Sequence, residues 1–285
     1  AEMVVDYALS QYPWNTFIML KKAIVAAHRG NSDEAFEIMD RVKHIDSNNM
    51  DFFVTKSYIH RILGDYKKSI QSLIHSLKFN EDVEEVYFDI AEDYSMLGDI
   101  NQEIHYLKKC LEIKPDYTDA IEKLFWAFKT QENFQQSVDY FQNLTQIKPL
   151  QQNAWEKLGF SYYELGLYEK SIEAFEYSLS ISDKATSYTG IAHSYWKLDL
   201  HFQAIAILND AIEKNPFTLD INTLIGWIYI DISDYANAQK YFLNEIFLNA
   251  TSGEAWKGLA QTYIYFNDYN NAFSCISKSL LQSDN

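Results

Sequence analysis

Between residues 152 and 181 the apolar positions follow a helical period twice in succession. Trp155, Leu158, Gly159 and Tyr162 stand three and four positions apart and predict one apolar stripe along a first helix. The segment Glu164-Leu165-Gly166-Leu167-Tyr168 interrupts the stripe as a turn, after which Ser171, Phe175 and Ser178 mark a second helix. The small residues Gly159, Ser171 and Ser178 predict close approach of the two helices and of the next pair. Trp155, Tyr162 and Phe175 fill what lies between them.

The same pattern returns along the whole chain with a period of about 34 residues. Pro115 and Pro149 stand one period apart, Pro13 lies three periods before Pro115, and Pro216 lies two periods, less one residue, after Pro149. Gly30, Gly64 and Gly98 keep the same spacing, and Gly166 falls two periods later. Trp155 and Trp256, like Trp126 and Trp227, are three periods apart, less one residue. A sustained repeat of this length with helical patterning predicts a helix–turn–helix solenoid without strands.

Position by position the repeat resembles the tetratricopeptide repeat, whose pattern places Trp at 4, Leu at 7, a small residue at 8, Tyr at 11, Ala at 20, Phe at 24, Ala at 27 and Pro at 32. The resemblance implies an all-α, right-handed superhelix. Its register predicts eight repeats, 16–49, 50–83, 84–117, 118–151, 152–184, 185–218, 219–252 and 253–285. Residues 1–15 match the second helix of an incomplete preceding repeat, with Ala1, Val5, Ala8 and Pro13 at its expected positions. Because that register opens mid-repeat, the sequence is expected to be a piece of a longer chain. All four prolines stand at position 32, where the ring ends a helix. Lys22 and Lys56 replace the usual leucine at position 7. Phe125 and Leu144 occupy two normally small positions of the fourth repeat, which predicts splayed helices there.

Composition narrows the function classes. The chain of 285 residues is 47% hydrophobic and 16% aromatic, enough to fill a stack of helix pairs. Its formal charge is −16, with 40 acidic against 24 basic residues and only three arginines, Arg29, Arg41 and Arg61. Nucleic acid and anionic membrane surfaces are therefore not expected partners. No apolar run is long enough to span a bilayer. Cys110 and Cys275 fall in distant repeats, so a disulfide between them is not expected, and buried thiols fit a reducing, cytoplasmic setting. Asn143 and Asn249 open glycosylation sequons at the frequency expected by chance.

No catalytic, metal or cofactor site is expected. The chain has no phosphate-binding glycine loop, no nucleophile elbow and no His-Glu-x-x-His. Its seven histidines lack zinc-ligand spacing. Glu122 and Glu156, one period apart, read as groove charges rather than a catalytic pair.

The family resemblance implies that first helices line a groove through positions 2, 5, 9, 12 and 13. Carried onto this chain, that surface holds Tyr58, Phe88, Glu92, Trp126, Phe160, Tyr163, His193, Trp196 and Trp227 as partner-binding candidates. Trp126, Phe160, Tyr163, Trp196 and Trp227 form an aromatic series, and exposed rings among carboxylates suit a partner surface. Family members that bind acidic chaperone C-termini carry Lys at position 5 and Asn at position 9. No repeat here has that pair; Lys257 is followed instead by Gln261. Asp51, Glu85, Glu92, Asp119, Glu122, Glu156, Asp220 and Glu254 line the groove, so the expected partner is a protein or peptide, apolar with basic flanks. Three readings follow: a non-catalytic interaction scaffold, the substrate-recruiting array of a larger enzyme, and a structural subunit of a fixed assembly. The oligomeric state is left open.

Overall fold

The computed structural model describes residues 2–46 and 49–283, and Ala1, assigned above to a repeat position, lies outside the described residues. Seventeen α-helices and no strand occur among the described residues, so the fold is all-α and of the helical-repeat superhelix class. The chain divides between Asn133 and Phe134 into two compact units. Unit 1 contains α1 (Glu2–Gln11), α2 (Thr16–His28), α3 (Ser32–Ile45), α4 (Met50–Ile62), α5 (Tyr66–Ser76), α6 (Glu84–Met96), α7 (Ile100–Ile113) and α8 (Thr118–Thr130). Unit 2 contains α9 (Phe134–Ile147), α10 (Gln152–Glu164), α11 (Tyr168–Ile181), α12 (Ala185–Lys197), α13 (His201–Lys214), α14 (Ile221–Asp231), α15 (Tyr235–Leu248), α16 (Gly253–Tyr265) and α17 (Tyr269–Ser283).

Helices joined by a short turn pack together: α2 on α3, α4 on α5 and α6 on α7 in unit 1; α10 on α11, α12 on α13, α14 on α15 and α16 on α17 in unit 2. Successive first helices also touch, α2 with α4, α10 with α12 and α14 with α16, and so build a surface of their own. The turn inside each pair needs one residue in the left-handed region. Gly30, Gly64, Gly98 and Gly166 provide it at φ 74–78°, whereas Asp199, Ser233 and Asn267 adopt it as non-glycine residues at φ 60–63°. The residue that follows often caps the second helix: Asn31, Asp65, Asp99 and Asp234 each accept a backbone N–H from three positions onward.

Small-against-large packing closes the pairs. Phe175 and Phe242 are wholly buried, and Gly159, Gly190, Gly226 and Gly258 lie against their ring atoms. A methyl added at Gly226 would stand 2.6 Å from Phe242, closer than packed carbons tolerate. Buried serines add hydrogen bonds between neighbouring pairs. Ser69 Oγ donates to Asp93 at 2.5 Å, Ser137 meets Ser161 at 2.6 Å, and Ser194 donates to Ser171 at 3.0 Å. This link between a second helix and the following first helix explains why hydroxyls stand where the resembling pattern has Ala.

Two departures from uniformity stand out. Phe125 and Leu144, the large residues at normally small positions, are both buried, each within its own unit. Helix α14 begins only at Ile221, because Asp220 takes φ 67° and donates its N–H to Glu245 Oε1 at 2.9 Å. Glu245 is fully buried, and burial holds its carboxyl above the usual carboxylate range. Both cysteines are free and buried, and burial pushes the Cys110 thiol up to about 12.

Candidate functional site

In unit 1 the first-helix surface is organised by charge. Arg61, near the end of α4, sends Nε to Asp93 Oδ1 at 2.8 Å and Nη1 to Asp89 Oδ1 at 3.0 Å, while Nη2 donates to the Asp89 carbonyl at 2.8 Å. Glu92 lies 3.8 Å from Arg61 and 3.1 Å from Lys123. Burial opposes the guanidinium charge, but the facing Asp89 and Asp93 carboxylates more than offset it and hold Arg61 above its ordinary value. Burial also raises Asp93 above the carboxylate range, against the pull of Ser69 and Arg61. Beside this network is a hollow of about 470 Å³, walled by Leu20, Ile24, Val54 and Tyr58, with Asp51, Arg61 and Asp89 on its border. Tyr58 is partly exposed and its hydroxyl meets His28 Nε2 at 3.2 Å.

Phe88 and Trp126 stand on the same kind of helix further along unit 1. Phe88 is half-buried, edge-on to Tyr117 at 5.1 Å, with Lys123 Nζ 5.9 Å from its ring centre. Trp126 is 57% exposed and carries Lys129 Nζ 5.5 Å from its ring centre.

In unit 2 the corresponding surface is organised by rings. Tyr163, on α10, contacts His193 at 6.4 Å between ring centres, and His193 stacks on Trp196 at 6.3 Å and 15°. Desolvation among these rings, with Lys197 nearby, holds the His193 imidazole below its ordinary value. Trp196 Nε1 donates to Asp231 Oδ2 at 2.8 Å, and the same oxygen lies 2.9 Å from His201 Nε2. The Trp196 and His201 hydrogen bonds hold the Asp231 carboxyl below the usual range.

The remaining ring candidates pack more deeply. Phe160 is edge-on to Phe175 at 4.9 Å and Trp227 to Phe242 at 5.3 Å, which joins both half-buried rings to the packing phenylalanines. Glu156, expected as a groove charge, is instead buried: it accepts from Lys184 Nζ at 2.6 Å, from Ser187 Oγ at 3.1 Å and from Thr186. Arg61 and Asp231 are the organising residues that groove-position reasoning leaves in the background. The opposite charges of Asp89 and Asp93, in the repeat that follows Arg61, are the sequence signal for its network.

No group of three or more His, Cys, Asp or Glu side chains is arranged to hold a metal among the described residues. No described helix is long and apolar enough to cross a membrane.

Comparison with known proteins follows the same geometry. Tetratricopeptide repeat profiles match residues 84–117 and 219–244 in one form and 122–186 in another. The general transcriptional corepressor trfA of Dictyostelium discoideum is 26% identical over 96 residues, which cover 34% of this chain and only 7% of that protein's length. A chain in the crystal structure of the APC/C hetero-tetramer Cut9–Hcn1 aligns with a TM-score of 0.51 at 13% identity, over 91% of this chain and 51% of its own. A tetratricopeptide repeat protein from Parabacteroides merdae aligns at 0.49 and 16% identity, over 87% and 98% of the two chains. At these identities the structural likeness concerns the fold alone. With repeat matches in both units on an all-α paired architecture, the chain carries tetratricopeptide repeats, which support a protein–protein interaction scaffold.

Proposed function

We propose that the first-helix surface binds a segment of a partner protein, apolar at its centre and basic at its flanks. The observation that carries this reading is the row Tyr163, His193 and Trp196, three adjoining rings, with Trp196 oriented by Asp231. A ring held in place by a hydrogen bond loses little freedom on binding, which is what makes a tryptophan an effective anchor. Exposed Asp220 and Glu254 in unit 2, and Asp51, Glu85 and Asp119 in unit 1, supply negative potential for basic flanks. Tyr58, Phe88, Glu92 and Trp126 belong to this reading in unit 1, and Phe160 and Trp227 in unit 2. Glu92 and Glu156 are the weakest attractors because Arg61, Lys123 and Lys184 already neutralise them. The register of eight repeats is part of the same proposal.

The test is a photo-crosslinking residue placed at Tyr163, and separately at Trp126, in the protein in its native cells. An attached segment rich in apolar residues flanked by Lys or Arg supports the reading. An acidic segment, or attachment that persists unchanged in a Trp196→Ala background, contradicts it. With a partner in hand, Trp196→Ala is expected to weaken binding by about 2 kcal/mol.

A further inference from the structure

A second hollow, away from the first-helix surface, has a composition that sets it apart from its counterpart. In unit 2, Trp155, Leu158, Tyr162, Ala174 and Tyr177 line a hollow between α10 and α11, together with Lys170 and Glu173. Three repeats earlier, every one of these positions lines a hollow between α4 and α5 in unit 1. There Leu158 is matched by Lys56, Tyr162 by His60, Ala174 by Ser72 and Tyr177 by His75, while Lys170 is matched by Lys68. Glu173, the acidic member, is matched by Gln71. An aromatic hollow with one carboxylate has become one lined by Phe53, two lysines, two histidines and the neutral Gln71 and Ser72, in a chain of net charge −16.

The two histidines pack on neighbouring rings and still have polar capacity to spare. His60 is buried to an exposure of 7%, touches Phe36 ring to ring at 5.2 Å, and makes no hydrogen bond among the described residues. Lys56 likewise has no ion-pair partner among the described residues. His75 is held over Phe53 with ring centres 4.1 Å apart. Lys68 is shared with Asp65 at 2.8 Å, so Lys56 supplies the uncompensated charge. Burial and the neighbouring Lys56 keep His60 below its ordinary value, the condition that an arriving anion would relieve.

We propose that the hollow between α4 and α5 binds a single phosphoryl-type oxyanion, with Lys56 and Lys68 as charged donors and His60 and His75 as hydrogen-bonding partners. Its volume of about 170 Å³ admits one tetrahedral anion with a few waters. That is below the roughly 300–1,000 Å³ of drug-sized ligand sites, which suits a small anion better than a whole nucleotide. The acidity of the chain disfavours an anionic bilayer as the source and leaves free phosphate or a phosphorylated side chain.

Titration of the intact chain with inorganic phosphate, followed through the His60 and His75 imidazole resonances, tests the site. Saturable shifts are expected, and Lys56→Leu combined with His75→Tyr, the residues of the unit 2 counterpart, should weaken them roughly tenfold or more with the helical circular dichroism intact. Lys56→Gln provides the charge-only control if the double variant is less stable. A phosphoserine peptide run in parallel identifies the source: tighter binding than phosphate indicates a side-chain phosphoryl group, and equal binding indicates the free ion. The proposal is overturned if chloride at equal ionic strength reproduces the shifts, or if the variant keeps them. Binding to anionic vesicles in the absence of any phosphate or phosphoserine response overturns it as well.

Discussion

The two units close their helix pairs and dress their first helices with different chemistry. Unit 1 sets Met39, Leu73 and Leu107 at the large packing position and Ala23, Ser57 and Ala91 at the small one, all buried. Unit 2 drives Phe175 and Phe242 into Gly159, Gly190, Gly226 and Gly258. On the first-helix surface, unit 1 presents an arginine locked among carboxylates, and unit 2 presents stacked rings with one hydrogen-bonded tryptophan. One repeat geometry thus accommodates two kinds of surface, because surface positions do not carry the packing. The same separation predicts that variants should divide sharply in what they change.

The largest effect is expected at the charged network. Arg61→Ala leaves Asp93, whose side chain is 1% exposed, with Ser69 as its main remaining hydrogen-bond donor. An uncompensated buried carboxylate should cost about 3–5 kcal/mol in equilibrium unfolding. Arg61→Ala with Asp93→Asn should recover much of that loss. If the single variant unfolds like the wild type, the network is a surface feature and the contrast with unit 2 disappears.

The packing contrast is the next to test. Gly226→Ala places a methyl 2.6 Å from the buried Phe242 ring and should cost roughly 1–3 kcal/mol, as overfilled cores do. Gly64→Ala in unit 1 meets nothing within 4 Å, and only its φ of 74° resists the new side chain. Its cost should be near the lower end, about 1 kcal/mol. Equal losses at the two positions would mean that backbone strain rather than ring-on-glycine packing governs both.

Much of this is legible in the sequence, for a physical reason. Helical period, pair spacing and small-against-large sites recur once per repeat, so errors at single positions average out. The helical class and the turn glycines follow from that recurrence. Surface state does not recur. A carboxylate at position 5 reads the same whether it faces water or meets a lysine nearly one repeat on, and Glu156 with Lys184 is the second case. Phe160 and Trp227 share a register position with Trp126, yet they lie half-buried on Phe175 and Phe242. The residue before the ring differs: it is Gly159 or Gly226 in those two repeats and the bulky Phe125 beside Trp126. The Arg61 network depends on three carboxylates in the following repeat, a coincidence that repeat averaging removes from view.

Trp196→Phe separates anchoring from ring stacking in unit 2. The phenyl ring keeps the contact with His193 but loses the hydrogen bond to half-exposed Asp231. Stability should fall by about 0.5–1 kcal/mol, while partner binding drops clearly if orientation of the ring is what prepares the surface. Full binding by the phenylalanine variant would leave stacking alone as the source of affinity.

The smallest expected effect is a difference in the sign of pH dependence. Asp93 in unit 1 holds its proton more tightly in the fold than in the unfolded chain, because burial raises it. Its titration therefore favours the folded state below the ordinary carboxylate range, and that contribution is lost as pH rises through the elevated folded value. Asp231 in unit 2 is held low by Trp196 and His201, so its contribution is present above the ordinary range and is lost as pH falls through the depressed folded value. Half-exposure of Asp231 keeps its share small. Unfolding free energies of Asp93→Asn and Asp231→Asn, each subtracted from wild type across pH 3 to 7, should therefore slope in opposite directions. Parallel slopes would show that Arg61 outweighs burial at Asp93, which would turn unit 1 from a strained charge cluster into a simply stabilising one.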